Sequence, residues 1–190
     1  MKKLAFCLAA GAAFIAATPA VAAAPAGARI EALAGWDHVS IALDDFGVND
    51  DLSSDGIVFG LGAGYDFAIG SSASLGIDIE ATESTADFEF DDGVDTVTLS
   101  VGRDLYVGGR LSFAAGSNAN VYVKAGYTNT RFRAEINGDG DSANADGVRG
   151  GIGVQFNVGS NAYIGGEYRY SNYEADLSRH QVAAIFGFRM

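Results

Sequence analysis

From residue 57 the chain alternates. Ile57, Phe59, Leu61, Ala63, Tyr65 and Phe67 share one parity, and Val58, Gly60, Gly62, Gly64 and Asp66 share the other. Successive side chains of a β-strand point to opposite faces, so the pattern gives one apolar face and one small or polar face. The same period of two recurs along the chain after the N-terminal segment, where no stretch shows apolar residues at helical spacing. It predicts strands over 28–39, 56–69, 73–83, 96–114, 121–136, 147–158, 162–173 and 179–190. Each is long enough to cross a bilayer at a tilt, which takes about 9–11 residues. Gly70-Ser71-Ser72, the stretch 115–120 and Gly159-Ser160-Asn161 read as tight turns. The stretches 40–55, 84–95 and 137–146 read as long polar loops, and 174–178 as a shorter one. Tight turns at one end and longer loops at the other belong to a transmembrane barrel.

Alternation alone does not say which face is outside. A soluble barrel would turn its apolar face inward. Three features favour the inverse. The polar face is rich in glycine (Gly60, Gly62, Gly64, Gly108, Gly126, Gly151, Gly153 and Gly187), a weak strand residue in water but one that relieves crowding in a narrow barrel. Phe67, Phe113, Phe156 and Phe188 each close an even-numbered strand on the apolar face, forming one aromatic girdle. Trp36, Tyr127, Tyr168 and Tyr170 supply the other. The apolar side chains are also too large to pack inside eight strands. The expected fold is an all-β, eight-stranded antiparallel up-and-down transmembrane β-barrel.

The first residues stand apart. Lys2 and Lys3 precede an apolar run, Leu4 to Ala17, and Ala20-Val21-Ala22 gives a leader-peptidase pattern, so residues 1–23 read as a cleaved signal peptide and 24–190 as the barrel domain. Cys7, the single cysteine, follows Phe6 with no apolar segment upstream, so it does not mark a lipoprotein. Without it there is no disulfide scaffold and no thiolate metal site. Removing both lysines makes the formal charge of −12 two units more negative. So acidic a chain does not grip nucleic-acid phosphates, which need Lys/Arg clusters.

Carried through every strand, the parity sets Glu31, Asp37, Asp66, Asp78, Glu80, Asp104 and Glu167 inward with Arg29, Arg110, Lys124, Arg149, Arg169 and Arg189. Charges in a filled lumen are tolerated when paired and hydrogen-bonded. A salt-bridged plug follows, with Asp78–Arg110 as one member. The alternative is a narrow, low-conductance pore, although eight strands leave no aqueous channel unless side chains move.

Most of the 24 acidic residues fall in the loops. They are Asp44, Asp45, Asp50, Asp51 and Asp55; Glu83, Asp87, Glu89, Asp91, Asp92 and Asp95; Glu135, Asp139, Asp141 and Asp146; and Glu174 and Asp176. They keep the loops solvated and could share divalent cations weakly. Asn137-Gly138-Asp139-Gly140-Asp141 lacks the twelfth-position glutamate and flanking helices of an EF-hand. Pairing strands four and five around their turn places Arg103 opposite Arg131, outward and near the external rim, with Arg133 one outward position higher. Like charges so placed destabilise a bare sheet, and lipopolysaccharide phosphates would relieve them.

His38-Val39-Ser40 puts a base and a hydroxyl on one strand face, the spacing a membrane-embedded serine hydrolase uses. It resembles the H-x-S pair of outer-membrane lipid A deacylases, which carry it on a late strand with an acidic third member. Here it ends the first strand, and no orienting carboxylate is assigned, with Glu174 or Asp176 across the closing seam as candidates. A lipid-modifying hydrolase using His38 and Ser40 is therefore an alternative reading, and the expectation is a structural protein with no catalytic, cofactor-binding or metal-ligating residue. Gly60-Leu61-Gly62-Ala63-Gly64 lies inside a strand with no following helix, which excludes a nucleotide loop.

Gly35-Trp36-Asp37, Gly64-Tyr65-Asp66-Phe67, Gly102-Arg103-Asp104-Leu105, Lys124-Ala125-Gly126-Tyr127, Glu167-Tyr168-Arg169-Tyr170 and Arg179-His180-Gln181-Val182 follow in order along the chain. In these motifs and their spacing the chain resembles the small eight-stranded outer-membrane barrels of Gram-negative bacteria, the OmpA/OmpX-like and opacity-like porin family. The resemblance implies a monomer in the outer membrane among lipids and lipopolysaccharide, delivered by periplasmic chaperones and inserted by the assembly machinery that reads the last strand. Phe186 and Phe188 fit that signal, while Met190 replaces the usual terminal aromatic. It also implies a role in envelope integrity and surface presentation of the loops, without the peptidoglycan-binding domain of longer relatives.

Overall fold

A computed structural model describes residues 24–41, 52–91, 96–136, 139–174 and 177–190. The leader read over 1–23, with Cys7, lies outside them, as do Asp44, Asp45, Asp50, Asp51, Asp92, Asp95 and Asp176. The elements are β1 (Gly27–Ile41), β2 (Leu52–Ala68), β3 (Ala73–Ser84), β4 (Asp87–Asp91), β5 (Thr96–Ala115), β6 (Ala119–Ile136), β7 (Asp139–Val158), β8 (Ala162–Tyr173) and β9 (Leu177–Arg189). All pairings are antiparallel between sequence neighbours, and two further pairings close the ring. β1 pairs with β9 from Arg29↔Arg189 to Ile41↔Leu177, and β3 pairs with β5 from Ala73↔Phe113 to Thr82↔Asp104. Closure leaves no strand edge, so the backbone amides of the ladder are satisfied internally, as hydrocarbon requires.

β3 and β4 make one stave of an eight-stave barrel. The register against β5 moves from Thr82↔Asp104 to Asp87↔Ser100, with Thr85 and Ala86 between the two strands. These residues stay tied to the wall: Thr85 N–H donates to Ile57 O at 3.0 Å, and Val101 N–H to Ala86 O at 3.0 Å. β5 shifts against β6 at the same height, between Val101 and Asp104. Bulges of this kind gather at barrel rims, where they bend a stave.

Gly116 and Gly159 open their turns at φ 77° and 78°, a left-handed conformation that glycine adopts without a Cβ penalty. At the opposite end the stretch 137–146, expected to loop, is strand from Asp139 onward, paired up to Ile136↔Asp139. Asp141 and Asp146 therefore stand on β7. Ser, Asn and Asp are poor strand formers, and the pairing with β6 overrides that local preference. The loop expected over 84–95 is likewise interrupted by β4.

The wall separates the parities as alternation dictates. Ile57, Leu61, Ile77, Ile79 and Val148 are at least 60% exposed on the outer face, which only hydrocarbon would cover. Inside, glycines make room for large neighbours. A Cβ on Gly153 would lie 2.4 Å from the Tyr122 ring, and one on Gly187 2.2 Å from the Tyr163 ring. Each tyrosine faces its glycine directly across the ladder, and Arg29 fills the place where a Gly64 Cβ would be. The interior has two chemistries. A charged middle lies below an apolar end near the long connections, built from Val39, Ala86, Phe88, Val101, Tyr173 and Leu177.

Candidate functional site: the filled lumen and the external rim

The lumen begins at the tight-turn end with Asp66, which meets Arg189 at 3.1 Å and Arg29 at 3.4 Å. Arg29 also binds Asp78. Arg110 then bridges Asp78, at 2.9 Å, and Glu31, which it grips through both terminal nitrogens at 3.1 and 3.2 Å. Tyr163 and Gln155 donate to the same Glu31 carboxylate at 2.8 and 3.1 Å. Higher up, Lys124 joins Glu80, at 2.5 Å, to Glu167, at 2.7 Å. Arg169 spans the same two acids at 3.0 and 2.9 Å, and Tyr122 donates to Glu167 at 2.6 Å.

The uppermost tier centres on Asp104. It accepts from Arg149 at 2.5 Å, Arg179 at 2.9 Å, Thr128 at 2.6 Å and Tyr173 at 2.5 Å. Arg179 continues to Asp37, which also accepts from Ser84 at 2.5 Å. Cations lie over three rings, Arg110 4.1 Å from the Tyr122 centroid, Arg189 5.0 Å from that of Tyr163, and Lys124 and Arg149 5.1 and 5.5 Å from that of Tyr106. Every one of the thirteen charges placed inward from parity is in this network, Asp78 and Arg110 among them.

Parity reasoning missed Arg179. The last strand was begun at that residue and its inward positions counted only further along, whereas β9 starts two residues earlier at Leu177. Extending Gln181 by one period inward finds Arg179 at once. It is fully buried, and with it seven cations meet seven carboxylates.

The expected aromatic residues stand on the outer face. Phe67, Phe113, Phe156 and Phe188 are about half exposed beside the tight turns. Trp36 and Tyr168 both neighbour Val182, from either side of β9. At the rim the structure corrects one detail. Arg103 does not face Arg131 in a regular pair, because Gly102 and Arg103 occupy the bulge between Val101↔Phe132 and Asp104↔Thr130. An extra residue packs into one strand there, and Arg103 Nε is enclosed without a hydrogen-bond partner. Arg131 donates to Ser142 Oγ at 2.7 Å, and Arg133 is exposed.

Above Trp36, one outer-face row runs Asp55–His38–His180–Tyr170 across β2, β1, β9 and β8, and the row above it Ser53–Ser40–Ser178–Asn172. His38 Nδ1 is 2.8 Å from Asp55 Oδ1, and its Nε2 is 3.3 Å from Ser40 Oγ. The carboxylate bonded to His38 is thus Asp55, while Asp176 lies outside the described residues. The sequence counted Asp55 as a loop residue, but β2 begins at Leu52 and pairs Asp55 with His38 directly. Among the described residues no group of three His, Cys, Asp or Glu is arranged to hold a metal ion.

A closed ring of antiparallel staves, apolar outside and ion-paired inside, defines a transmembrane β-barrel. The sequence matches the family of the outer membrane protein beta-barrel domain over residues 6–189, and the chain belongs to that family and to the outer membrane. It is similar in fold to neisserial surface protein A, NspA, with TM-score 0.63, 16% identity, and coverage of 86% of this chain and 97% of that one. It is also similar to Ail, the attachment invasion locus protein of Yersinia pestis, with TM-score 0.57, 16% identity, and coverage of 87% and 99%. The N-terminal β-barrel domain of Pseudomonas aeruginosa OprF follows with TM-score 0.50, 13% identity, and coverage of 85% and 97%. No curated protein matches the sequence.

Proposed function

We propose that the protein is a closed, non-conducting barrel that stiffens the outer membrane and presents acidic segments at the surface. The observation that carries this reading is the lumen, crossed by ion-pair tiers from Asp66 to Asp37 and capped by the apolar cluster around Val39 and Val101. An ion entering would have to displace partners from desolvated pairs and then pass an apolar plug, which strongly disfavours permeation. The charged side chains of the interior are paired with one another. Single-channel recordings of the reconstituted protein should show no steady open conductance. A persistent open level would overturn the plug.

In this reading the barrel is made with residues 1–23 as a cleaved leader, carried by periplasmic chaperones and inserted as a monomer through its last strand. Phe67, Phe113, Phe156 and Phe188 hold the inner interface. Arg103, Arg131 and Arg133 hold the outer one by contacting lipopolysaccharide phosphates. The patch supports this because among the described residues none of the three forms an ion pair, and guanidinium matches phosphate in bidentate geometry. Arg131→Ala should weaken lipopolysaccharide binding and its protection against thermal unfolding. Unchanged protection would remove the patch from the account.

A further inference from the structure

We propose that Ser40, His38 and Asp55 form a serine-hydrolase site on the outer wall, acting on carboxylic esters of long-chain amphiphiles in the outer leaflet. This goes beyond the proposed structural role and rests on neither the plug nor the arginine patch. The three groups have the polarity of a catalytic relay. In the neutral tautomer that donates Nδ1–H to the Asp55 carboxylate, Nε2 faces the Ser40 hydroxyl at 3.3 Å as an acceptor. Separations in this range suit a nucleophile and base before substrate tightens them.

The wall makes the arrangement rigid and open at once. His38 and Ser40 are two residues apart on one face of β1, and Asp55 is the direct ladder partner of His38. Trp36 stacks on the imidazole at 5.5 Å between centroids and restrains the ring. On the other side, His180 is held by Tyr168 Oη at 2.7 Å from its Nδ1 and by the Tyr170 ring at 4.8 Å. His38 and Ser40 remain partly exposed and Asp55 is exposed, so an ester carbonyl can reach Ser40. Ser53 and Ser178 are the ladder partners of Ser40 on either side, and a hydroxyl at either position could donate to the developing oxyanion.

The placement selects the substrate. The row stands directly above Trp36, at the level of the interfacial aromatic residues, where ester linkages of membrane lipids lie. Below it the outer wall carries two shallow apolar grooves that meet at Ala32. One runs over Ala63 and Ala81 between Leu61 and Ile79, the other over Ala34 and Ala184 beside Ile164. At about 3.3 Å per residue, Ala34 is roughly 20 Å down the tilted strand from Ser40. An ester held at Ser40 would run its acyl chain down the wall toward these grooves.

In the first half-reaction Ser40 Oγ adds to the ester carbonyl while His38 Nε2 takes its proton. The tetrahedral adduct collapses, the C–O bond to the alcohol breaks, and the alkoxide receives that proton. Water then adds to the acyl-serine with His38 as base, and fatty acid leaves as Ser40 regains its proton. Asp55 acts through His38 and is a positioning residue.

The test uses folded, reconstituted protein whose closure is verified by its gel shift on boiling. An alkyl fluorophosphonate should add once, at Ser40, as read by peptide mass. Phosphatidylethanolamine vesicles and lipopolysaccharide are then offered separately, and released fatty acid is measured. Release from either supports the proposal and assigns the ester's source. Ser40→Ala and His38→Asn should abolish release while keeping the boiling shift. Asp55→Asn should lower kcat on the order of 10,000-fold with KM little changed, and Asp55→Glu should recover part of it. Folded protein that neither takes the phosphonate nor releases acid overturns the proposal. So does labelling without release from either lipid, or release that survives Ser40→Ala.

Discussion

The lumen and the external rim use the same kinds of side chain under opposite conditions. In the lumen, Asp104 accepts from two arginines, a threonine and a tyrosine, and Glu31 from Arg110, Tyr163 and Gln155. These groups are desolvated and mutually occupied. At the rim His38 meets one carboxylate and one hydroxyl, and Arg131 one serine, all partly in contact with the surroundings. The contrast teaches where each region's free energy goes. Paired and desolvated charges hold the barrel shut, while the partly exposed groups of the rim are those a ligand can reach.

The largest expected effect would break the paired side of this comparison. Asp104→Ala leaves Arg149 and Arg179 buried with their principal carboxylate gone and should cost about 3–5 kcal/mol, measured by urea unfolding in lipid vesicles. A cost below about 1 kcal/mol would mean that the tier is not a desolvated hub. Next comes the lipid face. Leu61→Arg, on the outer wall, should cost about 2–4 kcal/mol in the same assay if that position lies near the bilayer midplane. A smaller effect, Gly153→Ala, drives a methyl into the Tyr122 ring at 2.4 Å and should cost about 1–3 kcal/mol. Replacing both partners, Asp37→Leu with Arg179→Met, should cost less than the two single changes summed, because no orphan charge remains. Smallest of all, Arg131→Ala in bilayers without lipopolysaccharide should stay within about 0.5 kcal/mol. A large effect there would place Arg131 with the structural charges instead.

Much of this was legible in order of residues. Most strand limits read from alternation fall within a few positions of those observed, because a wall between hydrocarbon and a polar lumen enforces period two; β7 differs, beginning eight positions early. The inward charges were legible for the same reason. What escaped lay at strand ends, where alternation stops being enforced once the wall leaves the membrane. β7 was begun at 147 instead of Asp139, β2 at 56 instead of Leu52, and β9 at 179 instead of Leu177. The extension of β2 hid Asp55 from His38, and Arg179, standing first in its predicted strand, was left out of the inward set. The bulge that displaces Arg103 carries no signature beyond Gly102.

By itself, then, the amino-acid order determined which side chains face oil and which face the interior, since that follows from backbone geometry and solvent alone. It also set the near balance of buried charge. Only the closed structure decided which acid meets which base, because Glu31 and Tyr163, or Asp37 and Arg179, approach through a ring that must first close. The same closure set β9 beside β1 and brought a second histidine next to the first, while the register of β2 on β1 supplied its carboxylate. Partners across a barrel are fixed by register and shear, quantities that no single strand contains.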